Sequence, residues 1–352
     1  MDHRPLTLPP DLLALHETID RGGRIATDDA CTLLTHPDIL AVAAMADAVT
    51  RRKWGDQAFY SAPTRVSLLS ACSATCAICA PLPTDLASRL AEQVGASAAE
   101  IHLVGLPAQL RLDALTSLIR SLRDRLPSAW IQGFGAPDLN TLALREACGA
   151  GDVATALQRA GLDGLLGLHE EVCTQHGRRL LPDDLDPSPT ALSAVEQAHA
   201  AGLTSIATLT YRPGDDATSI VARLDALRER QRASGGFSVF TALPIDLEAG
   251  TQDRETPSGY EDLRIISVAR LFLDNIPHIR APWLALGLKM GQVALSFGAD
   301  DLGWAPLDPH ARAYSPSTSF ISLDEGELVR LTAAARRRAS RVDGAYRALA
   351  AV

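Results

Sequence analysis

Three cysteines stand within eight residues, in the stretch Ser70-Ala71-Cys72-Ser73-Ala74-Thr75-Cys76-Ala77-Ile78-Cys79. The C-x₃-C-x₂-C spacing puts three thiols on one short segment. Three thiolates can hold three irons of a [4Fe–4S] cubane and leave the fourth iron open to a chelating small molecule. Two other readings compete. Zinc normally takes a fourth protein ligand, and no second C-x₂-C follows; only His102 or Cys148 could complete such a site. Buried cysteines can also act simply as small hydrophobes. The spacing, and a position just behind an apolar strand, favour the cluster. The other cysteines, Cys31, Cys148 and Cys173, are expected to play no part in it.

The elements that must position this segment alternate. Strands are expected at Arg65–Ser70, Ile101–Gly105, Trp130–Phe134, Leu162–Leu166, Ser205–Leu209, Phe237–Leu243 and His278–Leu286, with a short eighth near Phe297. Helices are expected between them, at Asp85–Val94, Asp113–Arg125, Thr190–Ala201, Ala217–Arg232 and Glu261–Asn275. Such alternation is the pattern of βα units around a parallel sheet. Seven or eight units predict a (β/α)₈ TIM-type barrel, complete or nearly so. An open doubly wound sheet is the alternative, but no G-x-G-x-x-G follows the first strand. The expected organisation is a helical segment over 1–60, the barrel over 61–320 and a helical tail over 321–352. In the first part, Thr27 is expected to cap one helix and Pro37 to start another. Cysteines placed after the first barrel strand would sit at the C-terminal face, where barrel enzymes place their chemistry.

The chain has 352 residues, is 47% hydrophobic and carries a formal net charge of −9. A negative balance argues against a nucleic-acid backbone as partner. The cluster Arg336, Arg337, Arg338 and Arg341 reads as a solvated helix face. No apolar run is long enough to span a membrane, no signal peptide is evident, and crowded cysteines without such a signal suggest a cytoplasmic metal protein.

Longer stretches carry a resemblance. They include Ala160-Gly161-Leu162-Asp163, Ala198-His199-Ala200-Ala201-Gly202-Leu203 and Gly235-Gly236-Phe237. The longest is Ala269-Arg270-Leu271-Phe272-Leu273-Asp274-Asn275-Ile276-Pro277-His278-Ile279, followed by Trp283, Lys289, Gln292 and Phe297-Gly298-Ala299-Asp300-Asp301-Leu302. With the cysteine spacing, these resemble the radical SAM enzymes of the futalosine route to menaquinone and their deazaflavin-synthase relatives. Aminofutalosine synthase is the nearest in appearance and the dehypoxanthine futalosine cyclase comes next. The resemblance covers about Ile19 to Tyr346.

It implies a [4Fe–4S] cluster on Cys72, Cys76 and Cys79, S-adenosylmethionine (SAM) as cosubstrate, and a flavodoxin- or ferredoxin-like electron donor. It implies a small-molecule substrate, an aromatic carboxylate or a nucleoside-like compound. Glu171 and Asp215 match family carboxylates that can hold SAM, and His102 could touch SAM or substrate. The bland alternatives are a loop glutamate, a helix cap and a satisfied core histidine. Adjacent Asp300 and Asp301 point apart in an extended chain, so at most one faces a pocket; Arg270 reads as an ion-pair partner.

The sequence also departs from the family. Ile78 replaces an aromatic residue, and the Gly-Gly-x-His-Pro turn is reduced to Gly105-Leu106-Pro107. The Gly-Gly-Gly-Ala-Glu turn is Gly167-Leu168-His169-Glu170-Glu171, and Tyr-Gly-His-x-Glu is Tyr211-Arg212-Pro213-Gly214-Asp215. The expected activity is therefore generation of a 5′-deoxyadenosyl radical, with addition to an enolpyruvyl benzoate as in aminofutalosine formation. The alternatives are hydrogen abstraction, as in the cyclase, and a non-catalytic paralogue serving as a binding subunit.

Overall fold

The computed structural model describes residues 8–68, 98–106, 110–167, 189–212, 214–244, 259–304 and 325–349. Its strands are β1 (Gln57–Ser61), β2 (Thr64–Ser67), β3 (Glu100–Val104), β4 (Trp130–Gly133), β5 (Ser205–Tyr211), β6 (Phe237–Pro244), β7 (His278–Arg280), β8 (Asp301–Trp304) and β9 (Arg338–Arg341). All the pairings among them are parallel. The sheet runs β5-β6-β7-β8-β1-β9, and a second sheet runs β2-β3-β4.

Two joints turn these sheets into a ring. At one, Gly164 bridges Gln132 of β4 on one side and Thr204, just before β5, on the other. Strand-like hydrogen bonds extend it: Gly133 N–H donates to Gly164 O at 3.1 Å and Leu165 N–H to Thr204 O at 2.7 Å. At the other, β1 and β2 are one barrel strand interrupted at Ala62-Pro63. Its first part pairs with β8 and its second with β3. The (β/α)₈ barrel is thereby closed. Gly133 shows how tightly the wall is drawn: a Cβ there would lie 2.7 Å from Leu103 Cβ and 2.8 Å from Leu103 O.

The helices are α1 (Leu13–Asp20), α2 (Thr27–Thr35), α3 (Ile39–Trp54), α4 (Leu112–Arg125), α5 (Ala136–Glu146), α6 (Ala150–Ala160), α7 (Pro189–Ala200), α8 (Ala217–Ser234), α9 (Gly259–Phe272), α10 (Trp283–Leu286), α11 (Leu288–Ala294) and α12 (Glu325–Ala334). The outer helices bury an apolar stripe at helical spacing. In α4 this is Leu115, Leu118, Ile119 and Leu122, each worth about 1.5–3 kcal/mol on removal from water. α3 packs on α9, and Thr50 Oγ1 donates to Gly298 O at 2.7 Å at that seam.

Several expectations need correction. Thr27 is the first helical residue, and the cap is Ala26, whose N–H donates to Asp29 Oδ2 at 2.8 Å. α3 begins at Ile39, because Asp38 caps it by accepting Ala41 N–H at 3.0 Å. The strand at His278 stops at Arg280; Pro282 offers no N–H and α10 follows. The eighth strand lies beyond Phe297, after a turn in which Gly298 takes φ +98°. The fourth shrinks to the Gly164 bridge, and Phe134 beside it has φ +64°. Asp85–Val94 lies outside the described residues.

The tail departs most. The helix ends at Ala334, Arg336 turns at φ +55°, and Arg338–Arg341 run parallel to β1, with Arg338 N–H on Asp56 O at 2.6 Å and Val342 N–H on Tyr60 O at 2.9 Å. The break at Ala62-Pro63 leaves this stretch of β1 without β3 beside it, and β9 takes the place. Arg337 is 4% exposed, paired with Asp47 and donating to Gly55 O and Leu295 O, each at 3.0 Å. The arginines do not form a solvated helix face.

Candidate functional site

Alternation along the strands decides what lines the barrel. His102 and Gln132 touch across β3 and β4, and Glu100 on the same face feels Arg280 of β7 and Asp301 of β8 across the ring, so their face is the inner one; Arg65 is in register with His102 on β2. Thr208, Thr241 and Arg280 share a row on β5, β6 and β7, and Arg280 is in register with Asp301 on β8. The interior is polar along much of its height.

Two groups of contacts organise it. Glu100 Oε1 lies 2.7 Å from His102 Nε2 and 3.2 Å from Gln132 Nε2, and Gln132 Nε2 lies 2.6 Å from His102 Nε2. Burial raises the Glu100 carboxyl to about 8, opposed by Arg280 and a Ser61 hydrogen bond and aided by Asp343 and Asp301. In the second group, Asp301 Oδ2 accepts Arg280 Nε at 2.9 Å and the Tyr346 hydroxyl from the tail. Thr208 and Thr241 are buried, and their hydroxyls make no hydrogen bond among the described residues.

Asp300 faces the other way. It pairs with Arg270 of α9, takes His278 Nδ1 at 2.5 Å and accepts Ile279 N–H at 2.7 Å. Burial alone would raise its carboxyl, but Arg270 and His278 hold it below the usual range. The adjacent aspartates thus point to opposite sides of β8, as an extended chain requires. Only Asp301 reaches the interior.

Of the expected site residues, His102 is 1% exposed and lies in the β3 wall. Asp215 follows the C-terminal end of β5, with Oδ2 2.6 Å from Arg223 and accepting Arg212 N–H at 3.2 Å. The cap of α8 is its neighbour Asp216, which accepts Ser219 N–H at 2.9 Å. Cys72, Cys76, Cys79 and Glu171 lie outside the described residues, as does Cys173. Cys31 is half-buried on α2 and Cys148 exposed after α5. No group of three metal-ligating side chains occurs among the described residues. Glu100, Gln132, Arg280 and Tyr346 were not foreseen as part of an interior site. The available signal was the spacing of two between Glu100 and His102, which puts both on one face.

The second half of the barrel carries a recognisable domain: residues 241–310 match the model of the CofH/MqnC C-terminal region. Nearly the whole chain aligns with an aminodeoxyfutalosine synthase of Thermus thermophilus, at 26% identity over 96% of each chain. A 5-amino-6-(D-ribitylamino)uracil–L-tyrosine 4-hydroxyphenyl transferase of Methanoculleus marisnigri is 28% identical over 92% of this chain and 94% of its own length. Over nearly its whole length the chain is thus similar to these synthases and transferases. The fold of this chain is similar to that of a solved methylornithine synthase, with TM-score 0.67 at 16% identity over 93% of this chain and 97% of that one. No helix among the described residues is long and apolar enough to cross a membrane.

Proposed function

We propose that the chain is a radical SAM enzyme acting on a small acidic or nucleoside-like molecule inside this barrel, with adenosyl transfer of the aminofutalosine type as its reaction. The observation that carries the reading is the C-x₃-C-x₂-C triad directly behind β2, in a chain similar over nearly its full length to such synthases. The donor set fits the cluster: three thiolates suit iron and leave one iron open, on the segment that follows a barrel strand's C-terminal end. Cys72, Cys76 and Cys79 would hold it. When bound, the cluster supplies one-electron cleavage of the SAM sulfonium bond to methionine and a 5′-deoxyadenosyl radical, the group that an enolpyruvyl benzoate would accept.

The chain's own residues bind, orient and keep out water. Glu171 and Asp215 are the carboxylates proposed to meet the amino or ribose end of SAM by charge-assisted hydrogen bonds. His102, in the β3 wall, is the residue proposed to touch SAM or the substrate, and the barrel wall would limit the water that reaches a radical. A reductant of flavodoxin or ferredoxin type would deliver the electron.

The test is anaerobic reconstitution with iron and sulfide, then incubation with SAM and a reductant. The expected result is about four irons per chain and release of methionine with 5′-deoxyadenosine, both lost when Cys72, Cys76 and Cys79 are replaced together by Ala. A heavier adenosylated product from an acceptor alkene marks addition; 5′-deoxyadenosine carrying substrate deuterium marks abstraction. A fully loaded, reduced protein that never cleaves SAM would instead be a binding subunit.

A further inference from the structure

The last turn of the chain crosses the N-terminal mouth of the barrel. Every strand pairing is parallel, so the first residues of the strands share one end of the ring. The stretch that carries Cys72, Cys76 and Cys79 follows the other end of β2. Glu100, Trp130, His278 and Asp301 open β3, β4, β7 and β8 at the first end. Counted round the ring from the interrupted strand β1–β2, β4 is the third strand and β7 the seventh. Trp130 and His278 therefore stand on opposite sides of the mouth.

The tail meets both. Val342 N–H donates to Tyr60 O at 2.9 Å, and the chain then turns. A Cβ on Gly344 would lie 2.2 Å from Trp130 Nε1, so the backbone there rests directly on the indole. At Tyr346 the phenol ring stacks on His278, with centroids 3.5 Å apart, and its hydroxyl donates to Asp301. The same ring stands edge-on to Phe59 of β1 at 5.7 Å, and Asp343 lies close enough to Glu100 for their charges to oppose. A stretch that meets the third strand at Gly344 and the seventh at Tyr346 has to span the opening between them.

The turn is held in shape by its own bonds. Asp343 Oδ1 accepts the N–H groups of Ala345 and Arg347, each at 3.0 Å, and Asp343 Oδ2 accepts Arg347 Nε at 2.6 Å. Leu349 N–H returns to Arg341 O at 2.9 Å. Its two sides differ: Ala345 and Arg347 are exposed, and Asp343 is buried. Ile206, Val239 and His278 are in register two residues before Thr208, Thr241 and Arg280. By alternation they line the interior one layer nearer this mouth.

We propose that Asp343–Arg347 is a stopper that closes the N-terminal mouth, so that water and small molecules enter the barrel from the end at which the cysteine-bearing stretch departs. A radical formed at that end is then shielded from water arriving through the opposite one. That benefit rests on the proposed function; the closure does not.

The experiment is hydroxyl-radical footprinting of the protein as purified, read by mass spectrometry. It compares the full chain with a chain ending at Val342 and with Gly344→Ala, whose added methyl has no room against Trp130. His102 and Val239 lie inside the barrel and are each 1% exposed. Both should be oxidised several-fold faster in the two variants than in the full chain. Phe240, buried on the outer face of β6, should stay protected in all three and so reports an intact fold. Unchanged oxidation of His102 and Val239 in a shortened chain that keeps Phe240 protected overturns the proposal. If the shortened chain loses that protection, Gly344→Ala decides, because it leaves β9 and the barrel strands as they are: faster oxidation at His102 and Val239 supports the stopper, and an unchanged pattern overturns it. Neither iron nor SAM enters the measurement, so failure of the proposed function would leave this result standing, and the reverse.

Discussion

Tyr346 lies flat on His278: the two rings are parallel to within 2°, with centroids 3.5 Å apart. Trp54 stacks on His278 as well, at 4.5 Å, and the Tyr346 hydroxyl donates to Asp301. His278 of β7 thus stacks on a residue of the tail and on Trp54, the last residue of α3. Tyr346 is half-buried, so Tyr346→Ala should cost at most about 3–5 kcal/mol, the range for losing a fully buried ring. Tyr346→Phe should cost about 1–3 kcal/mol, for leaving Asp301 one donor short. Denaturant unfolding measures both, and a smaller loss in Tyr346→Ala than in Tyr346→Phe would refute the stacking argument.

The Arg270–Asp300 pair has both side chains 0% exposed. Removing one partner strands a buried charge. Asp300→Asn should destabilise by about 3–5 kcal/mol, with His278 and the Ile279 N–H losing a charged acceptor too. The loss of stability should persist in high salt, because buried pairs are poorly screened; recovery at high salt would show the pair to be solvated.

His199 ties α7, α8 and β5 together. Nδ1 meets Ser234 Oγ at 2.6 Å and Nε2 meets Ser205 Oγ at 2.7 Å. Burial lowers its pKa from 6.5 to about 4. A base with a depressed folded pKa contributes stability present above its unfolded pKa and lost as pH falls toward the folded one. Thermal stability should therefore drop from about pH 6.5 toward pH 4, less steeply in His199→Gln. Gly236→Ala should be strongly destabilising at any pH, since the new Cβ would lie 2.2 Å from the imidazole.

Thr208 and Thr241 make the opposite case. Each buries a hydroxyl with no hydrogen-bond partner among the described residues. Thr208→Val and Thr241→Val should leave the ligand-free protein equally or more stable, by up to about 1–3 kcal/mol, because an uncompensated polar group is removed. A loss above about 1 kcal/mol in either variant would reveal a partner that holds the hydroxyl.

The barrel was legible because its strands are apolar runs alternating with amphipathic helices, a pattern that survives at the level of residue type. β5 and β6 were found within a few residues. β1 was not, because Gln57-Ala58-Phe59-Tyr60-Ser61 lies inside a stretch that reads as helical and pairs only with residues far along the chain. The same long-range pairing hid β9: a run of arginines beside alanines has good helix propensity, and the free edge of β1 overrides it. At the site, the spacing of the cysteines and the opposed directions of Asp300 and Asp301 were readable locally. The Glu100–His102–Gln132 contacts were readable only in part. Period two gives Glu100 and His102, but Gln132 arrives from a neighbouring strand whose register no local pattern specifies.

The interruption at Ala62-Pro63 has a consequence for synthesis on the ribosome. The segment Gln57–Tyr60 keeps one row of backbone groups unpaired until Arg338–Arg341 has been made and has left the exit tunnel. Through that interval a nascent chain offers an open strand edge, the feature by which chains add to one another. Arresting translation between β8 and β9 should yield a chain that aggregates or is held by chaperones, and supplying the last strand should release it.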